Sequence, residues 1–292
     1  MNLPNQPVTA RAYERSAPGS ARRLCTTLAR ATYLIAKPSE PQDLCHEHCT
    51  THPTDSASIA EGERLARIRG CIGCRGDRLE GEAHADNFMD GHTVAPNLTA
   101  SAHTLSTAEF ARAVRHGVRA NGEGLQEMPS PMFYHLSDTD LGRIIAYVRS
   151  LPRVEGRPYR FSPGPRTRWV IAKGEWLPWP EDIRAMGPRM APAAPGDTLR
   201  LGEYLARTVC SECHGLDLMG QDETPPLLVG AAYPNTAFVQ LMRTGVPLGG
   251  RDLRLMDDVA RSRFVYLTDA EIAALHAYLR TLATRGLSPT AG

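Results

Sequence analysis

The chain repeats itself. GERLARIRGCIGCRGDRLEG, Gly62 to Gly81, aligns with GEYLARTVCSECHGLDLMG, Gly202 to Gly220, with one residue fewer before the first cysteine. Cys71, Cys74, Gly76, Leu79 and Gly81 then fall on Cys210, Cys213, Gly215, Leu218 and Gly220. RHGV, Arg115 to Val118, matches RTGV, Arg243 to Val246, and at that same offset Met128 falls on Met256. LSDTDLGRIIAYVRSL, Leu136 to Leu151, matches LTDAEIAALHAYLRTL, Leu267 to Leu282. Four blocks in one order mean a duplicated domain, so the fold must be one that a single repeat can close around its own core.

Each repeat reads as helical. Thr268 and Glu271 form a T-x-x-E capping box. Ile272, Leu275, Leu279 and Leu282 follow on one helical face. In the first repeat Ser137 is the expected N-cap, with Leu141, Ile144, Ile145 and Val148 as the stripe, and Ser106 with Glu109 opens another helix through about Arg115. No alternating strand pattern persists. The expected fold is all-α: two tandem domains with long loops, 57–152 and 197–286. Residues 1–56 are a poorly ordered extension and 287–292 a tail. Between the domains, 153–196 is Pro-rich; Pro152 to Pro195 holds nine of the 23 prolines and all three tryptophans, Trp169, Trp176 and Trp179. A free linker would lack such rings, so this segment is expected to pack as a strap.

Composition narrows the class. A chain of 292 residues suits two domains. Its net charge of +1 provides no pull towards nucleic acid, and no apolar run is long enough to span a membrane. Glycine and proline, 25 and 23 residues, make it loop-rich, so two cores would be thin unless a buried apolar cofactor filled them.

CSECHG supplies such a cofactor's chemistry. On a helical turn, the Cys210 and Cys213 sulfurs reach the two vinyl groups of one haem and form thioethers. His214 then offers a ring-nitrogen lone pair to the iron, and a methionine thioether is the usual partner on the other face. A zinc site would need four ligands, but the second C-x-x-C lies in the other repeat. A thioredoxin-like dithiol would need a βαβ setting, which is missing.

Each repeat resembles a class I cytochrome c domain. About Ala57 to Arg285 resembles the di-haem cytochrome c subunits of bacterial periplasmic and membrane-bound dehydrogenases. The resemblance implies that Met256 is the axial methionine, ahead of Met219 and Met242, which are expected in the core, and ahead of His276. It places Met256 in a loop before the last helix. It also implies that a proline carbonyl orients His214, from Pro225 or Pro226, with Pro96 in that position in the first repeat. The implied function is electron transfer through haem c, from a dehydrogenase subunit to an oxidase or another cytochrome, without catalysis by this chain.

The first repeat departs from the pattern. Cys71, Cys74 and Met128 are in place, but Arg75 stands where the histidine belongs. A guanidinium has no lone pair to give iron. Haem with a substitute ligand from His84, His92, His103 or His116, a five-coordinate haem held with Met128 that serves a peroxidase or ligand sensor, and a haem-free scaffold that docks the second domain all stay open. So does a simple sequence change, since His to Arg needs one base.

Cys45, His46, His48 and Cys49 form a further cluster, readable as a metal site or as free thiols in an extension. Covalent haem implies export and a periplasmic location. Leu28–Ala36, the best apolar stretch near the start, is short and interrupted by Arg30, so it is not a clean secretory signal.

Overall fold

The computed structural model describes residues 52–173, 183–221 and 223–285. The cluster at Cys45–Cys49, Trp176 and Trp179 lie outside the described residues. The first half opens with helix Ser56–Ile68, capped by Asp55, and closes with helix Asp138–Ser150, capped by Ser137. Helices Leu98–Thr104, Thr107–His116 and Ser130–Phe133 lie between them. The second half repeats the plan, opening with Thr198–Leu205 and closing with Asp269–Arg285. Helices Asn235–Thr244 and Leu255–Ser262 lie between. Both sequence-read capping boxes are made, Ser106 with Glu109 and Thr268 with Glu271.

In each half the opening and closing helices cross at a glycine. A Cβ on Gly62 would sit 1.9 Å from the Arg143 carbonyl oxygen, and one on Gly202 would sit 2.2 Å from that of Ala274. Arg143 and Ala274 are equivalent in the repeat, so both halves use one contact. A second shared device holds the closing helix. Arg115, fully buried, donates Nε–H and Nη2–H to the Leu136 carbonyl at 2.9 and 2.7 Å and pairs with Asp138 at 2.6 Å. Arg243 does the same to Leu267 and to Asp269, the latter at 2.6 Å. These are the arginines of RHGV and RTGV. Each half has its own apolar cluster, one around Leu65, Phe110, Phe133 and Ile145, the other around Leu205, Phe238, Phe264 and Leu279.

The all-α expectation is corrected by a small sheet. Strands β1 Ala83–Asn87, β2 Gly91–Val94 and β3 Arg160–Pro163 pair antiparallel in that order. They are too short and too polar to show an alternating pattern, and β3 comes from the segment after the first half. That segment packs back on the first half. Tyr134 donates its hydroxyl to the Gly187 carbonyl at 2.6 Å, the Met190 N–H donates to His135 Nδ1 at 3.1 Å, and Met190 packs on the first core. Trp169 is instead exposed.

The halves contact directly. Arg64 of the first opening helix pairs with Glu271 at 2.7 Å and donates to the Tyr266 carbonyl at 2.9 Å. Arg69, almost fully buried, pairs with Asp140 at 3.1 Å, and the Tyr204 hydroxyl donates to Asp140 at 2.6 Å. Tyr204 thereby joins the first core, while Ile68 joins the second. Among the described residues, no helix is long and apolar enough to cross a membrane.

Two predictions follow from this packing. Gly62→Ala and Gly202→Ala each force a methyl into an opposing carbonyl and should destabilise the protein by roughly 1–3 kcal/mol; denaturant titration followed by circular dichroism reads this directly. The second concerns pH. Burial, with the Arg207 and Arg189 guanidiniums nearby, depresses the His135 imidazole to about 4, and its Nδ1 accepts from Met190 in the neutral form. The unfolded imidazole protonates near pH 6.5, so the stability His135 contributes is intact above that value and is lost as the pH falls towards 4. Amide-exchange protection of the Met190 N–H, referenced to its intrinsic rate, should fall across that window, and protection flat from pH 7 to 4 would refute the assignment.

Candidate functional site

The second opening helix runs on past Leu205. A π-helical turn, Ala206–Cys210, passes into Ser211–His214, so Cys210, Cys213 and His214 lie on one continuous winding. The helix stops at Gly215, whose φ is 82°. The chain then doubles back through a fixed loop. Leu218 adopts a left-handed φ of 60° and is fully buried, and Gly220 has φ 89°. The Gly220 N–H donates to the His214 carbonyl at 2.8 Å, and the Leu227 N–H to that of Leu218 at 2.9 Å.

That loop delivers the Pro225 carbonyl to within 2.8 Å of His214 Nδ1. A carbonyl only accepts, so Nδ1 carries the proton and Nε2 keeps its lone pair. Burial holds the imidazole below its ordinary pKa, which favours this neutral form. The choice between Pro225 and Pro226 is thus resolved on Pro225. Burial also pushes the Cys210 thiol up to about 12 and Cys213 up to about 11. Both sulfurs are therefore held as thiols at neutral pH. Among the described residues, no group of three or more His, Cys, Asp or Glu could hold a metal ion.

Met256 lies within helix Leu255–Ser262, not in a loop, because the acidic Asp257 and Asp258 suit a first helical turn. It is partly buried against the core that contains Cys210. Met242 is a core residue at 2% exposure, as expected, but Met219 is 46% exposed and does not join the core. Its loop turns outward after the buried Leu218. His276 is buried, stacked on Phe238 at 4.4 Å and bonded through Nδ1 to Asn235. A turn with two thiols and a histidine with a free Nε2 fits covalent haem.

The first half builds the same loop on a different side chain. Leu79 has φ 57° and Gly81 φ 92°; the Gly81 N–H donates to the Arg75 carbonyl and the Leu98 N–H to that of Leu79, both at 2.9 Å. Arg75 turns into the core and is only 8% exposed. Its Nη2–H donates to the Met128 sulfur at 3.1 Å, and among the described residues its Nε has no hydrogen-bond partner. Around them a cavity of about 30 Å³ remains, lined mainly by apolar side chains that include Leu98, Phe110, Phe133 and Ile144. The histidines weighed as substitute ligands are engaged elsewhere. His84 Nε2 bonds the Cys74 carbonyl at 2.6 Å, His92 pairs with Asp86, His103 reaches the Leu151 carbonyl and His116 packs edge-on to Tyr134. These residues do not fit a normally ligated haem.

Sequence reading missed Arg263. Its guanidinium pairs with Glu212, between Cys210 and Cys213, at 2.8 Å. It also presses on the first C-x-x-C turn, where a Cβ on Gly70 would fall 2.4 Å from its Cζ. The two cysteine turns therefore face each other across one partly buried arginine. No periodic pattern marks such a residue.

Comparison with known proteins agrees with this geometry. The family description for cytochrome c matches residues 59–152 and 199–283. The chain belongs to the cytochrome c family. Domains of this family bind haem c covalently. The fructose dehydrogenase cytochrome subunit of Gluconobacter japonicus is 26% identical, over 93% of this chain and 60% of its own length. The gluconate 2-dehydrogenase cytochrome c subunit of Pantoea cypripedii is 26% identical, over 81% of this chain and 62% of its own. The cytochrome c subunit of the quinone-type alcohol dehydrogenase of Gluconacetobacter polyoxogenes is 27% identical over 56% of this chain and 37% of its own. The chain thus spans about 60% of the length of the first two relatives.

The loop carries a prediction. A Cβ at Gly220 would lie 2.4 Å from the Thr224 carbonyl oxygen, beside the Pro225 carbonyl that holds His214. Gly220→Ala should lower the melting temperature and weaken the imidazole's orientation, which shifts the midpoint potential of the bound haem. An unchanged potential, read by spectroelectrochemistry, would show that this loop does not set His214.

Proposed function

We propose that this cytochrome c is a one-electron carrier with its working site in the second domain. The division into domains 57–152 and 197–286 joined by a strap at 153–196 is part of this reading. The observation that carries it is the His214 Nδ1–Pro225 contact, which leaves Nε2 as the ligating nitrogen. Cys210 and Cys213 would hold the haem as thioethers, His214 would ligate one face of the iron and Met256 the other. The bound haem supplies reversible gain and loss of one electron without bond chemistry on a substrate.

The chain's own residues do the rest. Pro225 fixes the tautomer and plane of His214. The buried cluster of Phe238, Met242, Phe264, Leu275 and Leu279 excludes water from the site, which lowers the cost of reorganisation around a changing charge. Arg263 and Glu212 place a neutralised ion pair next to Cys213, where a lone charge would bias the oxidation state.

Relatives named as cytochrome subunits of fructose, gluconate and alcohol dehydrogenases support a dehydrogenase as the electron donor for this chain. An oxidase or another cytochrome would accept the electron. Covalent haem attachment and these relatives support a periplasmic setting. A peroxidase role has no support in the first domain, where Arg75 already holds Met128.

Substitution of each methionine tests the ligand. Met256→Ala should abolish the methionine-ligated, low-spin spectrum while the thioethers keep the haem attached. Met219→Ala and Met242→Ala should leave that spectrum intact. His214→Ala should give protein with little low-spin haem. A low-spin methionine spectrum that survives Met256→Ala would assign the sixth ligand elsewhere.

A further inference from the structure

The first domain keeps two cysteines at haem-attachment spacing and an apolar pocket of matching composition. Leu98, Phe110, Phe133 and Leu136 line it, and the repeat places Leu227, Phe238, Phe264 and Leu267 at their counterparts. Yet the interior is filled by the chain itself. Arg75 occupies the position of a proximal histidine, and its N–H takes the sulfur lone pair of Met128 that a metal would need. What space remains, about 30 Å³, suits a water molecule or two. Small-molecule ligands of porphyrin size need roughly ten times more.

We propose that the first domain takes no haem, with Arg75 and Met128 closing its core in the cofactor's place, and that Cys71 and Cys74 persist as a dithiol that closes to a disulfide. This rests on the reading that the second domain carries the chain's one haem.

The turn supports the second half of the proposal. The Cys74 N–H donates to the Gly70 carbonyl at 3.3 Å and the Arg75 N–H to that of Ile72 at 3.1 Å, so Cys71 to Arg75 is a helical winding. Residues three apart on such a winding have Cβ atoms about 5–6 Å apart, and small backbone adjustment brings them to disulfide separation. Both cysteines retain partial exposure, so an oxidant can reach them. Arg75 and Arg263 beside them favour the thiolate that must attack, although burial is the larger influence and raises both thiols.

The reaction balances by exchange with a disulfide donor, a protein or small-molecule disulfide of the oxidising compartment. A thiolate of Cys71 or Cys74 attacks a donor sulfur, the donor S–S bond breaks and a mixed disulfide forms. The second thiolate displaces the donor. Cys71 and Cys74 lose two electrons and two protons in total, and the two sulfurs of the donor leave as thiols.

The cavity also explains why the exchange of one side chain suffices. A guanidinium in an apolar pocket is costly, and among the described residues its Nε is unpaired and its hydrogen bond goes to the Met128 sulfur. Removing that partner should hurt the domain more than a buried methionine truncation does in the absence of a charge.

Intact-mass spectrometry of the mature full chain, purified without reductant, decides the matter together with iodoacetamide labelling before and after reduction. The expected mass is the chain plus one haem, less two hydrogens. Labelling of Cys71 and Cys74 should require reduction. Two haems per chain would overturn the proposal outright. One haem with Cys71 and Cys74 labelled at once would overturn the disulfide. No haem at all would instead overturn the reading of the second domain. Arg75→His, matured alongside, should gain a second haem and lose the disulfide. Should that variant fail to fold, Met128→Leu serves in its place: the melting temperature should drop while the haem count stays at one, and an unchanged melting temperature would show that the Arg75–Met128 contact holds nothing together.

Discussion

The glycine contact between the opening and closing helices sets the geometry of each domain. At Gly62 and Gly202 the opposing backbone comes so close that no side chain fits. Both cysteine turns begin where an opening helix ends, so the contact fixes where those turns point. The closing helix is itself anchored at its start by Arg115 or Arg243, which satisfies carbonyls just before the helix and an aspartate in its first turn. Duplication preserved this pair of constraints while most surface positions diverged.

Within the loop that follows the cysteines, the two halves part company at one side chain. His214 is held by a carbonyl on Nδ1, which leaves the lone pair on Nε2. Arg75 sits at the same place in the same loop, but it has only hydrogens to offer and has turned them on Met128. The loop did not change to accommodate this: φ at Leu79 and Leu218 differs by 3°, from 57° to 60°. A backbone that can present either a histidine or a buried arginine allows the two domains to share one fold while differing at this position. The first domain contributes structure to the whole, because Arg64, Arg69 and the turn at Gly70 contact the second.

Much of the site was legible because its grammar is local. C-x-x-C-H packs thioether and axial ligands into five residues, and the repeat revealed Arg75 as a departure rather than an unrelated C-x-x-C. The helix caps at Ser106, Ser137 and Thr268 were readable for the same reason, since each rests on residues three apart. The sheet was not, since β3 joins β2 across some seventy residues and its four residues carry no pattern of their own. Met219 and Met256 were misplaced because a left-handed Leu218 and a short helix at Leu255 redirect the chain where sequence suggests continuity.

By itself the sequence determined the duplication, the helical character and the family, and it singled out Cys210, Cys213 and His214 as the candidate attachment residues. Those follow from short spacings that any folded state must respect. The tertiary structure decided which proline holds His214, what Arg75 does with its charge, and that Arg263 stands between the two cysteine turns. Each of these is a contact between residues far apart in the chain, chosen by close packing rather than by local propensity, and so has no signature until the helices are in place.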